Sequence, residues 1–195
     1  MDGMTPSARE VHAAIRQRRS VGKMLDAAPP REAVERILEA AMWAPYHKCE
    51  EPWRFVVIAG EARNRLGEIA ARSLDLSSVP EGARENVRAK ERGKFARAPV
   101  VVAVIAEGSE SAVDAEENYA AAAAATQNML LAAHVEGLSG YWRTGRLARE
   151  AEILSALGVG AGDRIAAFVY LGYAAIAPAA ATRSPLAAKA RWLER

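Results

Sequence analysis

Apolar residues along the chain follow two rhythms. Val11, Ala14, Ile15 and Arg18 stand at i, i+3, i+4 and i+7, which predicts an amphipathic helix running into the basic cluster Arg16 to Arg19 and stopping near Ser20 to Lys23. Ala33, Val34, Ile37, Leu38, Ala41 and Met42 repeat that spacing and predict a second helix, ended before Pro45, whose ring disfavours helical geometry at Ala44. Trp53 to Ala59 is short, β-branched and closed by Gly60, the pattern of a buried strand. Glu61 to Ala98 is charged and helical with a break at Ser77 to Gly82, and Pro99 to Ala106 is a valine-rich run that predicts a central strand. Asp114 to Glu136 predicts a long helix whose alanine-rich centre, Tyr119 to Ala125, allows close packing. A strand and turn over Leu138 to Gly145, a helix over Glu150 to Leu157 stopped by Gly158, and a strand over Arg164 to Tyr173 complete the pattern.

This order predicts a single α+β domain over residues 1–195, built in three layers (α/β/α) with helices on both faces of one sheet. No period of 20 to 50 residues recurs, which excludes a solenoid. The tail, 174–195, has no place in the core pattern, and Trp192 and Leu193 expose apolar surface unless docked. Packing of the tail on a partner subunit solves this.

Composition narrows the function. The chain has 195 residues, 51% apolar, enough for a sizeable core, and 26 Lys plus Arg against 24 Asp plus Glu, too balanced for a nucleic-acid binder. One cysteine, Cys49, excludes an internal disulfide framework and a cysteine-based zinc cluster, and it suits a reducing, cytoplasmic setting. The N-terminus lacks the apolar segment of a secretory signal, and the run Ile165 to Ala181 is too short to span a membrane. His12, His47 and His134 lack metal-ligand spacing, and neither a phosphate-loop motif nor a nucleophile elbow is present, so no catalytic side chain is assigned.

Three clusters remain. Arg18, Arg19 and Ser20, with Lys23 close behind, put two guanidiniums and a hydroxyl at a helix end, able to hold a phosphate by charge-assisted hydrogen bonds; a solvated basic helix end fits the same residues. Pro45 and Pro52 frame a loop presenting Tyr46, His47 and Lys48 between Trp43 and Trp53, which either clasps a flat ring or plugs the core with its tryptophans. Gly137 to Gly145 combines close-approach glycines with Trp142 and Arg143, and reads as a ligand turn or as a tight turn over a buried Trp.

Taken in order, these clusters resemble the FMN-dependent nitroreductase family. The likeness runs from about Val11 to Leu186 and rests on Arg18-Arg19-Ser20, a helix ending in Ala44-Pro45, Pro52-Trp53 opening a strand, Ala98-Pro99-Val100-Val101, Gln127 to Ala133, Gly137-Leu138 and Leu171-Gly172-Tyr173. Ala44-Pro45-Tyr46-His47-Lys48 and Trp142-Arg143-Thr144-Gly145 look like the compact subgroup with an Ala-Pro-x-His-Lys motif. Cys49 and Glu51 stand where the commoner family pattern has Asn and Gln.

The resemblance implies a mainly antiparallel mixed sheet in an intertwined homodimer, with FMN at the subunit interface and NADH or NADPH as donor. It implies hydride transfer through the flavin to a small electron-poor acceptor, nitroaromatic or quinone-like, in ping-pong fashion. Position by position, Arg18, Arg19 and Ser20 would hold the phosphate and ribityl end, Lys23 would lie near the ring's N1 side, and Arg183 would complete the phosphate site. Trp43 and His47 would reach FMN from the partner, and the backbone of Trp142, Arg143 and Thr144 would face flavin N5. The helix end Ala132, Ala133, His134, Val135, Glu136 and Gly137 is a further expected nicotinamide contact. Two alternatives share these residues: another FMN reaction on the scaffold, such as enoate reduction, dehalogenation or flavin fragmentation, and a flavin-binding protein without catalysis.

Overall fold

The computed structural model of the chain describes residues 6–48 and 51–194, so Cys49 lies outside the described residues. In chain order these form α1 (Pro6–Gln17), α2 (Arg31–Met42), β1 (Trp53–Ala59), α3 (Glu61–Arg72), α4 (Glu81–Arg92), β2 (Val100–Ala106), α5 (Ala112–Val135), β3 (Ser139–Arg143), α6 (Ala151–Ala156) and β4 (Arg164–Gly172). The strand order is β1-β2-β4-β3, and every pairing is antiparallel. β2 is paired on both sides and all seven of its residues are buried, which accounts for its unbroken apolar run.

Helices cover both faces. On one side Val34, Ile37, Met129 and Leu130 of α2 and α5 pack on Val102, Val104, Val169 and Leu171. On the other, Leu66, Phe95 and Ile153 pack on Ile58, Val101 and Phe168, with Phe95 edge-on to Phe168 at 5.3 Å. Gly140 allows β3 to lie close under α5, since a Cβ there would sit 2.6 Å from Leu130 Cδ2. Gly158, at φ +66°, ends α6: its N–H donates to Ser155 O and that of Val159 to Leu154 O.

One boundary differs from the periodicity. α1 stops at Gln17, and the segment after it is taken up by the sheet instead of continuing as helix to Ser20 and beyond. Ser20 forms a parallel bridge to Gly140, Met24 an antiparallel bridge to Ala174, and Leu25 N–H donates to Tyr173 O at 2.9 Å. Pairing with the ends of β3 and β4 satisfies backbone groups that a helix would otherwise have to satisfy, and it fixes the basic cluster against the sheet edge.

α4 carries few apolar residues, and the one residue it buries is charged, Glu91. Its carboxylate receives Arg146 at 2.8 Å and Lys94 at 2.7 Å, while Arg146 also reaches Glu150, Ser73 Oγ and Ala70 O. Burial pushes the Glu91 carboxyl up, but the hydrogen bonds and charges of Lys94 and Arg146 more than offset this and hold it below the usual range. A depressed folded-state pKa makes this contribution complete above the unfolded value and lost as pH falls through the folded one. The urea midpoint is therefore expected to be level near neutrality and to fall below about pH 4.5. Glu91→Gln should lower stability by about 2 kcal/mol at pH 7, the partly exposed Arg146 softening the loss, and should flatten the acid limb.

The total accessible surface is 12199 Å². A compact monomer of this mass exposes roughly 9,000 Å². Part of the excess lies in the tail, where Trp192 is 81% and Leu193 76% exposed, and part on α1, where Val11 and Ile15 face outward. Val11, Ala14 and Ile15 form with Leu131, Ala132 and Val135 of α5 an open apolar groove of about 430 Å³.

Candidate functional site

The end of α1 delivers Arg18 and Arg19 side by side, and the tail brings Arg183 within electrostatic reach of Arg18. Arg18 Nη1 and Arg19 Nε are buried and have no hydrogen-bond partner among the described residues. Arg19 spends its Nη1 on the carbonyls of Arg16 and Arg18, the latter at 2.9 Å, and Arg183 donates to Thr182 O at 3.0 Å. None of the described ion pairs includes Arg18, Arg19 or Arg183. Burial first, then the like charges of Arg19 and Arg183, hold the Arg18 guanidinium below its ordinary pKa. Buried donors without acceptors and like charges gathered without a counter-ion are both costly, and an oxyanion with several lone pairs relieves both. Ser20 sits beside this cluster, exposed and anchored to Gly140.

Lys23 is exposed, its backbone tied through Ala175 N–H. In the proline-framed loop the two tryptophans part company. Trp53 is buried, its Nε1 donating to Met42 Sδ at 3.2 Å and its ring meeting Tyr46 edge-on at 5.3 Å, whereas Trp43 stands 82% exposed just past α2. His47, with Pro45 and Tyr46, borders a surface depression against Glu117, Ala120 and Ala124 of α5. Lys48 and Glu51 take left-handed backbone angles, φ +57° and +43°, and the Lys48 ammonium is held by Asp114 at 2.9 Å, which ties the loop to the first turn of α5.

β3 is the last strand of the sheet, and among the described residues its outer edge pairs only through the Ser20 bridge. Its side chains alternate. Trp142 turns toward α5, half-buried, with Nε1 donating to Ala166 O at 3.2 Å. Arg143 turns to the opposite face and lies over the rings of Tyr141 (5.5 Å) and Tyr170 (5.9 Å). Trp142 thus packs on the core without being fully buried, and the backbone of this strand, with Thr144 just beyond it, runs along the edge of the sheet.

The end of α5 is largely occupied by its own packing. Ala133 is fully buried, the N–H groups of Gly137 and Leu138 donate to His134 O and Ala133 O, and Arg36 grips the Glu136 carboxylate through two bonds at 2.7 and 2.6 Å. Ala132 and Val135 face the apolar groove beside α1, while His134 is half-buried. The structure therefore does not join Ala132 to Gly137 into one exposed contact surface, because the helix cap and the tie to α2 consume its polar groups. Among the described residues no group of three His, Cys, Asp or Glu is placed to hold a metal, and no helix is long and apolar enough to cross a membrane.

Together these features gather Arg18, Arg19 and Arg183 beside an edge strand of the sheet, with the proline-framed loop elsewhere on the chain. Residues 15–173 match the Nitroreductase family, and the chain belongs to it. Among curated relatives it is 35% identical over 156 residues to the "Putative NAD(P)H nitroreductase YdjA" of Escherichia coli strain K12, covering 80% of this chain and 83% of that one. It is 29% identical over 174 residues to the "Putative NAD(P)H nitroreductase YfhC" of Bacillus subtilis strain 168, covering 88% of each. Of solved structures, the nitroreductase-like family protein from Bacillus cereus superposes with a TM-score of 0.84 at 28% identity over the whole of both chains. A "putative nitroreductase in complex with fmn" from Desulfovibrio desulfuricans gives a TM-score of 0.70 at 31% identity over 95% of each chain.

Proposed function

We propose that the chain is an FMN-dependent NAD(P)H oxidoreductase that works as a homodimer and reduces small electron-poor acceptors such as nitroaromatics or quinones. The observation that carries this is the set of three guanidiniums, Arg18, Arg19 and Arg183, with two buried N–H donors left without acceptors. The monophosphate of FMN supplies the oxygens they lack, with Ser20 beside them. When bound, FMN supplies the redox chemistry, accepting two electrons from the nicotinamide and passing them to the acceptor.

The chain's own part is to bind, orient and tune. Arg18, Arg19 and Arg183 would fix the phosphate, and the outer edge of β3, where alternate backbone N–H groups between Trp142 and Thr144 turn outward, would offer donors to the ring. Lys23, exposed on the segment beside β3, supplies positive charge near the pyrimidine end, where negative charge collects on reduction. Trp43 and His47, both exposed on their own subunit, complete the ring's surroundings on the partner. The exposed α1 groove and the undocked tail supply apolar surface for that dimer, of which the tail is the exchanged part.

The test is optical. The purified protein, supplied with FMN, is expected to show a flavin absorbance spectrum, to bleach under NADH or NADPH without oxygen, and to recover when nitrobenzene is added. A colourless protein that takes up no FMN overturns the proposal, and bound FMN that neither nicotinamide bleaches points to the flavin-binding alternative.

A further inference from the structure

β3 pairs with β4 only over Phe168 to Gly172, so the first half of β4, from Arg164 to Ala167, has no strand on that edge. The chain turns away at Thr144 and returns as the turn Arg146–Arg149, leaving a notch of about 220 Å³ bordered by Tyr119, Thr144, Arg149, Asp163 and Arg164. That is smaller than the roughly 300–1,000 Å³ of sites that enclose a whole small molecule, and it suits one group of a larger ligand.

The charges around the notch do not balance. The Arg164 guanidinium lies over the Tyr119 ring at 4.6 Å and makes no hydrogen bond among the described residues. Neither Arg164 nor Arg149 makes an ion pair among the described residues. The one acid on the rim is already committed: Asp163 accepts from Gly108 N–H at 2.9 Å, Gly160 N–H at 3.1 Å and Arg54 at 2.5 Å. Arg146, three residues before Arg149, is by contrast bound by Glu91 and Glu150. Arg149 and Arg164, both exposed and outside the described ion pairs, thus line one small cavity together with Thr144.

We infer that this notch is an oxyanion subsite through which Arg149 and Arg164 select negatively charged substrates. The inference rests on the proposed flavin site, because Thr144 joins the notch to the strand edge assigned to the reacting ring. A group held here is a carboxylate on the aromatic acceptor or the extra phosphate that separates NADPH from NADH, and the chemistry of recognition is the same for both.

The test compares the FMN-loaded protein with the double variant Arg149→Gln, Arg164→Gln on matched substrates. The double variant is expected to raise KM roughly tenfold or more for either 4-nitrobenzoate or NADPH, while nitrobenzene and NADH move less than twofold. The anion that responds identifies the source. If all four KM values stay within twofold while turnover persists, the subsite is overturned and the flavin proposal stands. If the wild-type protein reduces neither nitro compound, the flavin proposal fails, and calorimetric binding of 4-nitrobenzoate and of 2′-phospho-AMP then judges the notch alone. Binding of either by the wild type but not the double variant supports it, and equal or absent binding overturns it.

Discussion

Replacing Arg18 by alanine is expected to weaken FMN binding by about 1.5–3 kcal/mol, roughly 10- to 150-fold, measured by quenching of flavin fluorescence on titration. Arg18 is the sharper probe of the cradle because its buried Nη1 has no acceptor, whereas Arg19 spends a nitrogen on the carbonyls of Arg16 and Arg18. In the absence of ligand the same substitution removes like-charge repulsion from Arg19 and Arg183, so thermal stability of the apoprotein should hold or rise. That opposition of sign separates a binding role from a structural one. Arg18→Lys should keep part of the affinity, since an ammonium retains the charge but loses the planar fork. An effect below threefold for Arg18→Ala would falsify the phosphate assignment and return the residue to a solvated helix end.

A chain ended after Ala181 is expected to lose both the dimer and FMN. Trp192 and Leu193 are almost fully exposed on their own subunit, and burying such side chains contributes about 1.5–3 kcal/mol each, on the order of 6–12 kcal/mol per dimer before the entropy of ordering the tail is subtracted. The shortened chain keeps β4 and the Ala175 bond to Lys23, so the fold of each subunit should survive by circular dichroism. Light scattering after size exclusion should then report a monomer. Arg183→Ala separates the two losses: it leaves the apolar tail intact and should remain dimeric while binding FMN about tenfold more weakly. A truncated protein that stays dimeric would show that the tail does not hold the subunits together.

Much of the fold is legible in the residue pattern because period and run length report directly on local geometry. The valines of β2 specify a strand buried on both faces, and Gly158 marks the end of α6 because its left-handed φ carries no steric cost for glycine. The order of elements and their assignment to three layers follow from the same signals. Arg18-Arg19-Ser20 and Trp142-Arg143-Thr144-Gly145 are visible as clusters for the same reason, since neighbouring residues need no fold to be brought together.

What periodicity cannot carry is the choice between two partners for the same segment. The pattern carries a basic helix through Arg19 to a stop near Ser20 to Lys23, yet α1 ends at Gln17 and Ser20, Met24 and Leu25 pair with Gly140, Ala174 and Tyr173 once the ends of β3 and β4 are in reach. Glu91 is one charge among many on α4 until Lys94 and Arg146 close around it. Arg164 and Tyr119 are separated by 45 residues, and nothing in either neighbourhood announces that they stack. The sequence by itself determined the elements, the layer architecture and which residue types were available for a cofactor. Only the tertiary structure decided which cations lack a counter-charge, because electrostatic balance is summed over neighbours in space, and two arginines with one composition can be satisfied, as Arg146 is, or left open, as Arg18 and Arg164 are.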